Sequence, residues 1–332
     1  VQAGQRPSIK DVARLAGVSV GTVSNVLNRP QVVSQKTQDA VEGAMAQLHF
    51  HRNATARNLR SGATTTVGAV VSDVSNPFYT GLLRGIEDRL DTEGLSLIIG
   101  SSDGDPERER RLLRMLAEQG VRGVLITAMD STLEHLAELD RIGLASVLMD
   151  AEPGLLPSVG VDSVRGGRLA VEHLLEQGHR RIAFLAAAEN MRPSELRRQG
   201  AVEAVRAAGL DPAEVLQVIH LEHPNASAGE AATARLLDSD RPPTAVFSVN
   251  DIVALGALRA LRERGVRVPE EVSVVGYDDL FLDTELAVPL TSVRQPMREL
   301  GWAAADLLLT GRTHELFTPE LVVRASSWRQ RG

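Results

Sequence analysis

The chain has 332 residues, room for two or three domains, and its 43% hydrophobic and 24% charged residues are the proportions of a soluble globular protein. It contains no cysteine, which excludes disulfides and thiol chemistry; its first ten residues, VQAGQRPSIK, hold no signal-type apolar core, and no apolar run approaches the ~18 residues of a membrane span, so the expected setting is the cytoplasm, with no membrane partner. The net charge of −7 is unevenly spread: residues 1–60 carry eight Lys and Arg against three Asp and Glu, which predicts a basic head for phosphates on an acidic body.

Residues 8–27 read SIKDVARLAGVSVGTVSNVL. Ile9, Val12, Ala13 and Ala16 recur at helical spacing, leaving Lys10, Asp11 and Arg14 outside. Gly17 ends this helix in a left-handed cap, Val18 plugs the angle, and Ser19 caps the next helix. There Val23, Val26 and Leu27 face inward, so Val20, Gly21, Ser24, Asn25 and Asn28 form an outer face of small or hydrogen-bonding, non-acidic side chains. With Ser19 and Thr22 of the first turn, this is the face of a helix-turn-helix recognition helix entering a major groove. Residues 17–21 also satisfy the G-x-S-x-G pattern of a hydrolase elbow, but that motif needs a buried strand before the serine and here a helix precedes it. After a loop at 29–33, Ser34 caps a third helix to about residue 48 with a stripe of Ala40, Val41, Ala44, Met45 and Leu48.

From Val67 onward, apolar runs alternate with helical stretches, the β-α order of parallel sheets. Strands are predicted over 67–71, 96–99, 123–127, 145–149, 158–161, 181–186, 215–220, 245–248 and 273–277, separated by helices such as 78–93, 106–119, 164–177, 194–208 and 252–264. Nine strands exceed one compact nucleotide-type fold, so the economical architecture is a small all-α head plus an α/β body of two doubly wound parallel-sheet subdomains with a cleft between them. Ligands of such sheets gather at the strand carboxyl ends. That singles out Asp73, Phe78 and Tyr79 after the first strand, Asp103 after the second, Asp150 after the fourth, Asn250 after the eighth and Asp278 after the ninth. Phe78 and Tyr79 are notable in a chain only 3% aromatic, because either could offer a ring face. No G-x-G-x-x-G follows a strand, and there is no Walker loop, H-E-x-x-H or metal-spaced histidine cluster; residues 103–105, Asp-Gly-Asp, read as a turn, since the further oxygen ligands of a calcium loop are missing. No cofactor or metal is expected.

After His49-Phe50-His51-Arg52 the chain continues N-A-T-A-R-N-L at 53–59 and V-G-A-V-V-S-D at 67–73. This succession behind a helix-turn-helix head resembles the LacI/GalR family of bacterial transcriptional regulators over essentially the whole chain. The resemblance implies a DNA-binding domain at 1–52, a hinge helix and linker at 53–65, and at 66–332 an effector-binding and dimerisation body of the periplasmic-binding-protein type. It assigns Leu59 to a minor-groove wedge, with Asn53, Ala56, Arg57 and Arg60 beside it on the DNA, and base reading to Val20, Gly21 and Asn25. The family often has Gly-Tyr-x-Pro before the asparagine; the absence of proline here implies a less pre-organised hinge. Asp150, Arg197, Asn250 and Asp278 match the family's cleft residues, which suit a small polyhydroxylated effector. The expected protein is a repressor acting on a palindromic operator as a homodimer, since no heptad tail follows the last strand. A transporter's solute-binding protein with the same body, and a regulator answering to a purine or a protein co-regulator, remain as alternatives.

Overall fold

In the computed structural model the described residues are 7–50, 64–127, 136, 143–154, 156–189 and 191–328. The chain divides into two compact units, Val1–Thr64 and Thr65–Gly332.

The first unit contains α1 (Ile9–Ala16), α2 (Val20–Asn28) and α3 (Gln35–Gln47). At the start of α1, the Ser8 backbone N–H and hydroxyl both donate to Asp11 Oδ2, at 2.9 and 2.6 Å. At its end Gly17 takes a left-handed conformation (φ 66°), and Val18 N–H reaches back to the Ala13 carbonyl at 3.0 Å, so the chain reverses within two residues. Ser19 Oγ accepts from Thr22 N–H at 3.0 Å and begins α2. Val12, Ala13, Val23, Val26, Val41 and Ala44 are buried at the centre, with Ile9, Val18, Leu27, Met45, Leu48 and Phe50 packed around them. Ala40 departs from the expected stripe and is exposed: positions 41, 44, 45 and 48 already complete one helical face. Gln38 Nε2 donates to the carbonyls of Pro30 and Val33, each at 2.9 Å, tying the loop before α3 to that helix.

The second unit holds two six-stranded sheets. The first runs β11-β5-β4-β3-β1-β2, from β1 (Thr66–Val71), β2 (Ser96–Ser101), β3 (Gly123–Ile126), β4 (Ala145–Met149), β5 (Ser158–Val161) and β11 (His314–Phe317), all parallel. The second runs β12-β10-β9-β8-β6-β7, from β6 (Ile182–Ala187), β7 (Leu216–Leu221), β8 (Ala245–Ser248), β9 (Ser273–Asp278), β10 (Thr291–Arg294) and β12 (Glu320–Val322), with only the β10–β12 pair antiparallel. Both sheets therefore follow the same winding, and each reverses strand order beside its first strand, where doubly wound sheets open their ligand crevices. Strands β3, β5, β6, β8 and β9 are buried at every position, which is why they read as unbroken apolar runs.

The α-helices described in the second unit are α4 (Pro77–Asp91), α5 (Pro106–Glu118), α6 (Ser163–Glu176), α7 (Arg192–Ala207), α8 (Pro212–Val215), α9 (Ala226–Leu237), α10 (Asp251–Glu263) and α11 (Met297–Thr310). The chain passes from the first sheet to the second after β5, returns through α11 to β11, and crosses again into β12. These crossings make two subdomains of one unit.

The nine strands expected from sequence are present and three more join them. β10, β11 and β12 are three or four residues long, and β11 and β12 are outer strands containing His314, Glu315 and Glu320, so no apolar run announces them. Among the described residues no helix is long and apolar enough to cross a membrane.

Candidate functional site

On α2 the inward residues are Val23 and Val26, both buried, which turns the opposite face outward. Ser19, Val20, Gly21, Asn25 and Asn28 are exposed, and Thr22 and Ser24 are half-buried. Val20 keeps 42% of its surface in solvent although it is apolar. Asn28 Nδ2 donates to the Ser24 carbonyl at 2.7 Å and contacts Ser24 Oγ at 3.2 Å, so it also braces the last turn of the helix. Asn53, Ala56, Arg57, Leu59 and Arg60 lie outside the described residues.

In the second unit, Arg197 lies in the second turn of α7 and is buried. It gets there because α6 and α7 touch through glycines: a Cβ on Gly200 would stand 1.8 Å from the Val164 carbonyl oxygen, and one on Gly167 would stand 2.0 Å from that of Arg197. Its guanidinium carbon sits 3.7 Å from the centroid of the Tyr277 ring, and Nη1 donates to the Val249 carbonyl at 2.6 Å. Nε has no partner. Asp278, the last residue of β9, is 3% exposed and accepts from Gln295 Nε2 at 2.7 Å. Asp150, just past β4, is half-buried. Asp150, Asp278 and Asp279 have φ of 53°, 118° and 59°, conformations that cost non-glycine residues about 1–3 kcal/mol each unless the surroundings hold them.

Electrostatics connect these groups across the two subdomains. Burial pushes the Asp278 carboxyl up to about 7, against the opposing pull of Arg197 and of the Gln295 amide, while Asp150 adds to the rise. Burial likewise raises Asp150, partly offset by Arg197. The Tyr79 hydroxyl lies above its ordinary range through burial and then through the charge of Asp150. Burial alone would lower Arg197, but Tyr277, Asp150 and Asp278 outweigh it and keep the cation firmly protonated. Tyr79 and Asp150 from one subdomain thus share a field with Arg197 and Asp278 from the other.

The remaining sequence-derived positions are engaged locally. Phe78 is 3% exposed, packs in the core of the first subdomain and meets Tyr79 edge to face at 5.1 Å. Exposed Asp73 accepts from the Ser75 N–H and hydroxyl, at 2.8 and 2.6 Å. Exposed Asp103 accepts from Ser101 Oγ at 2.6 Å and pairs with Arg108. Asn250 Oδ1 caps α10 by accepting from Val253 N–H at 2.8 Å.

Sequence reasoning did not single out Tyr277, Gln295 or the Glu152–Arg192 ion pair, which joins the two subdomains at 3.2 Å. Gln295 follows β10, and without that strand nothing in the sequence marks it. Tyr277 sits inside an apolar run, where its ring reads as core.

Two family models match the chain: bacterial regulatory proteins, lacI family, over residues 8–53, and a periplasmic binding protein-like domain over residues 171–331. Over 333 residues the chain is 35% identical to the HTH-type transcriptional repressor PurR of Haemophilus influenzae, covering 96% of this chain and 98% of that one. The chain belongs to the lacI family of bacterial regulatory proteins. It is a DNA-binding transcriptional regulator of the effector-controlled kind. Among solved structures it is similar to a transcriptional regulator CelR–cellobiose complex, with 35% identity, a TM-score of 0.71, and 97% of this chain and 100% of that one covered. It is also similar to the Lac repressor dimer bound to operator and the anti-inducer ONPF, with 30% identity, a TM-score of 0.82, and 98% and 100% covered. These relatives of the lacI-family chain are transcriptional regulators, not enzymes.

Proposed function

We propose that the protein is a cytoplasmic, non-enzymatic repressor that binds a palindromic operator as a homodimer and takes a neutral sugar or sugar derivative between its two subdomains. Residues 1–52 form the DNA-binding domain, 53–65 the hinge and linker, and 66–332 the effector and dimerisation body. On α2, Asn25 pairs with an adenine edge, Val20 meets a thymine methyl and Gly21 permits close approach, while Ser19, Thr22, Ser24 and Asn28 contact the backbone or flanking bases. In the hinge, Leu59 is the wedge and Asn53, Ala56, Arg57 and Arg60 support it.

The observation that carries the effector reading is the meeting of Tyr79 and Asp150 with Arg197 and Asp278. Two carboxyl groups, a phenol and one guanidinium offer donors and acceptors to vicinal hydroxyls from both walls, and a ligand bridging them favours one degree of closure. Asn250, Asp73 and Asp103 complete the candidate set, with Phe78 packed in the core behind Tyr79. The likeness to a cellobiose-bound regulator supports a sugar. The likeness to PurR keeps a purine as a second reading. A purine calls for a free aromatic face, yet Phe78 is packed in the core and the Tyr277 ring lies under Arg197.

The test is a thermal-shift screen with cellobiose, other sugars, sugar phosphates, hypoxanthine and guanine at millimolar concentration. A sugar is expected to raise the unfolding midpoint, as any ligand specific for the native state does. A rise with a purine base and with no sugar would overturn the sugar reading.

A further inference from the structure

We propose that Arg294 is a positioning residue: through Asp279 and Glu320 it clasps the end of β9 to the crossings between the two subdomains, so that Asp278 moves with them. The chain crosses three times, between β5 and α6, between β10 and α11, and between β11 and β12. Arg294 is the last residue of β10, directly before the second crossing, and Glu320 is the first of β12, directly after the third. The two are partners in the antiparallel β10–β12 register. On its other side Arg294 is the register partner of Asp278 in the parallel β9–β10 pair. It therefore stands between the cleft carboxyl and the returning chain.

The side chains complete the clasp. Arg294 Nε donates to Asp279 Oδ2 and its Nη1 donates to Glu320 Oε1, each at 2.5 Å. One planar fork thus spans two carboxylates, a geometry that a lysine ammonium cannot copy. The Asp279 side chain is 6% exposed, and its other oxygen accepts from Arg324 Nη2 at 2.5 Å. Its N–H donates to Ser292 Oγ at 3.0 Å, which itself donates to Asp251 Oδ1 at 2.7 Å. Arg324 belongs to the second subdomain, where its Nη1 donates to the Leu290 carbonyl at 2.7 Å. Asp279 is therefore held on one side by its own subdomain and on the other by the residue at the crossing.

Asp278 is gripped by the same stretch. Gln295 N–H donates to the Asp278 carbonyl at 3.3 Å, and Gln295 Nε2 donates to Asp278 Oδ1 at 2.7 Å. Consecutive residues 278 and 279 thus hold consecutive residues 295 and 294. Both aspartates carry positive φ, a conformation that persists only where the surroundings fix it. The third crossing is bonded in turn to the first, since Asp162 N–H donates to the Phe317 carbonyl at 3.0 Å. The three crossings form one laterally bonded set that ends on Asp278 and Asp279. On the reading of Asp278 as a cleft residue, a ligand that binds its carboxyl meets a different geometry at each degree of closure, which is the differential contact that a shift in closure requires.

The experiment uses the full chain without ligand. Hydrogen-exchange protection of the Gln295 and Asp162 amides, with Phe184 and Leu185 in β6 as controls, is measured beside the thermal midpoint for the wild type, Arg294→Met, Arg294→Lys and Arg324→Met. Arg294→Met should lower protection of Gln295 at least fivefold and of Asp162 at least twofold, with the controls within twofold, because it removes both bridges at once. Arg294→Lys keeps the charge but not the fork and should recover part of the Gln295 protection. Arg324→Met should lower the midpoint more than Arg294→Met while holding Gln295 within twofold. If Arg294→Met leaves Gln295 within twofold of wild type, or loosens the controls equally, the proposal fails; should that variant not fold, Arg294→Lys decides with an expected loss of at least twofold at Gln295. The consequence for affinity rests on the sugar reading of the cleft: cellobiose should bind Arg294→Met at least threefold more weakly than wild type and Arg324→Met within twofold. An absence of cellobiose binding to wild type would count against that reading, while the ligand-free exchange still decides the clasp.

Discussion

The two sheets of the body share one strand order, differing only in the antiparallel β12, yet the walls they present to the proposed cleft are built differently. On the reading proposed above, the first subdomain contributes Tyr79, buried in the first turn of α4, and Asp150 just past β4, which is still partly in solvent. The second contributes Arg197 and Asp278 from within a lattice of buried contacts that takes in Tyr277, Val249, Gln295, Asp251 and Ser292. Equal topology thus does not give equal pre-organisation. The second wall holds its charges in place before a ligand arrives, whereas the first has room to adjust as the cleft closes.

The harshest way to break this contrast is Arg197→Met. It leaves Asp150 and Asp278 near each other without a cation, and removing one partner from a buried charged set costs about 3–5 kcal/mol. The midpoint should fall by several degrees and ligand binding should be lost in calorimetry; an unchanged midpoint would mean that the second wall is not held by its charges. Asp278→Asn comes next. Since Asp278 is raised to about 7 when folded, its contribution is full below pH 4 and is lost as pH rises through about 7. Replacing it should flatten the stability profile over that interval by roughly 2–4 kcal/mol, at about 1.4 kcal/mol per unit of pKa, read by urea unfolding at successive pH values.

Asp150→Asn probes the more adaptable wall. It should weaken the effector about tenfold while changing stability by less than about 1 kcal/mol, because a half-buried side chain is more easily accommodated. A stability loss as large as that of Arg197→Met would erase the distinction between the walls. The smallest effect belongs to Glu152→Gln, which cuts an exposed inter-subdomain ion pair worth about 0–1 kcal/mol. Effector affinity should change less than threefold, with a slightly more open ligand-free form in small-angle scattering.

How much of this was legible in the sequence differs by region for physical reasons. The head was readable almost to the residue, because Gly17 and Ser19 announce a stop and a start within three positions and the apolar stripes are short and regular. The buried parallel strands were readable because both of their faces are covered. β10, β11 and β12 were not, being short and polar or peripheral, and with β10 went Gln295 and Ser292. Arg197 drew attention only through family resemblance, since its burial depends on α6 and α7 touching at glycines.

On the function proposed above, what the cleft holds decides how the protein engages DNA. The direct test is the affinity of full-length protein for a duplex selected from random sequence, measured with and without a saturating cleft ligand found by thermal shift, in wild type and in Asp150→Asn. The ligand should change wild-type affinity at least tenfold, and the variant should require a correspondingly higher ligand concentration for the same change. A ligand that raises the unfolding midpoint through the cleft yet leaves duplex affinity unaltered would contradict the claim.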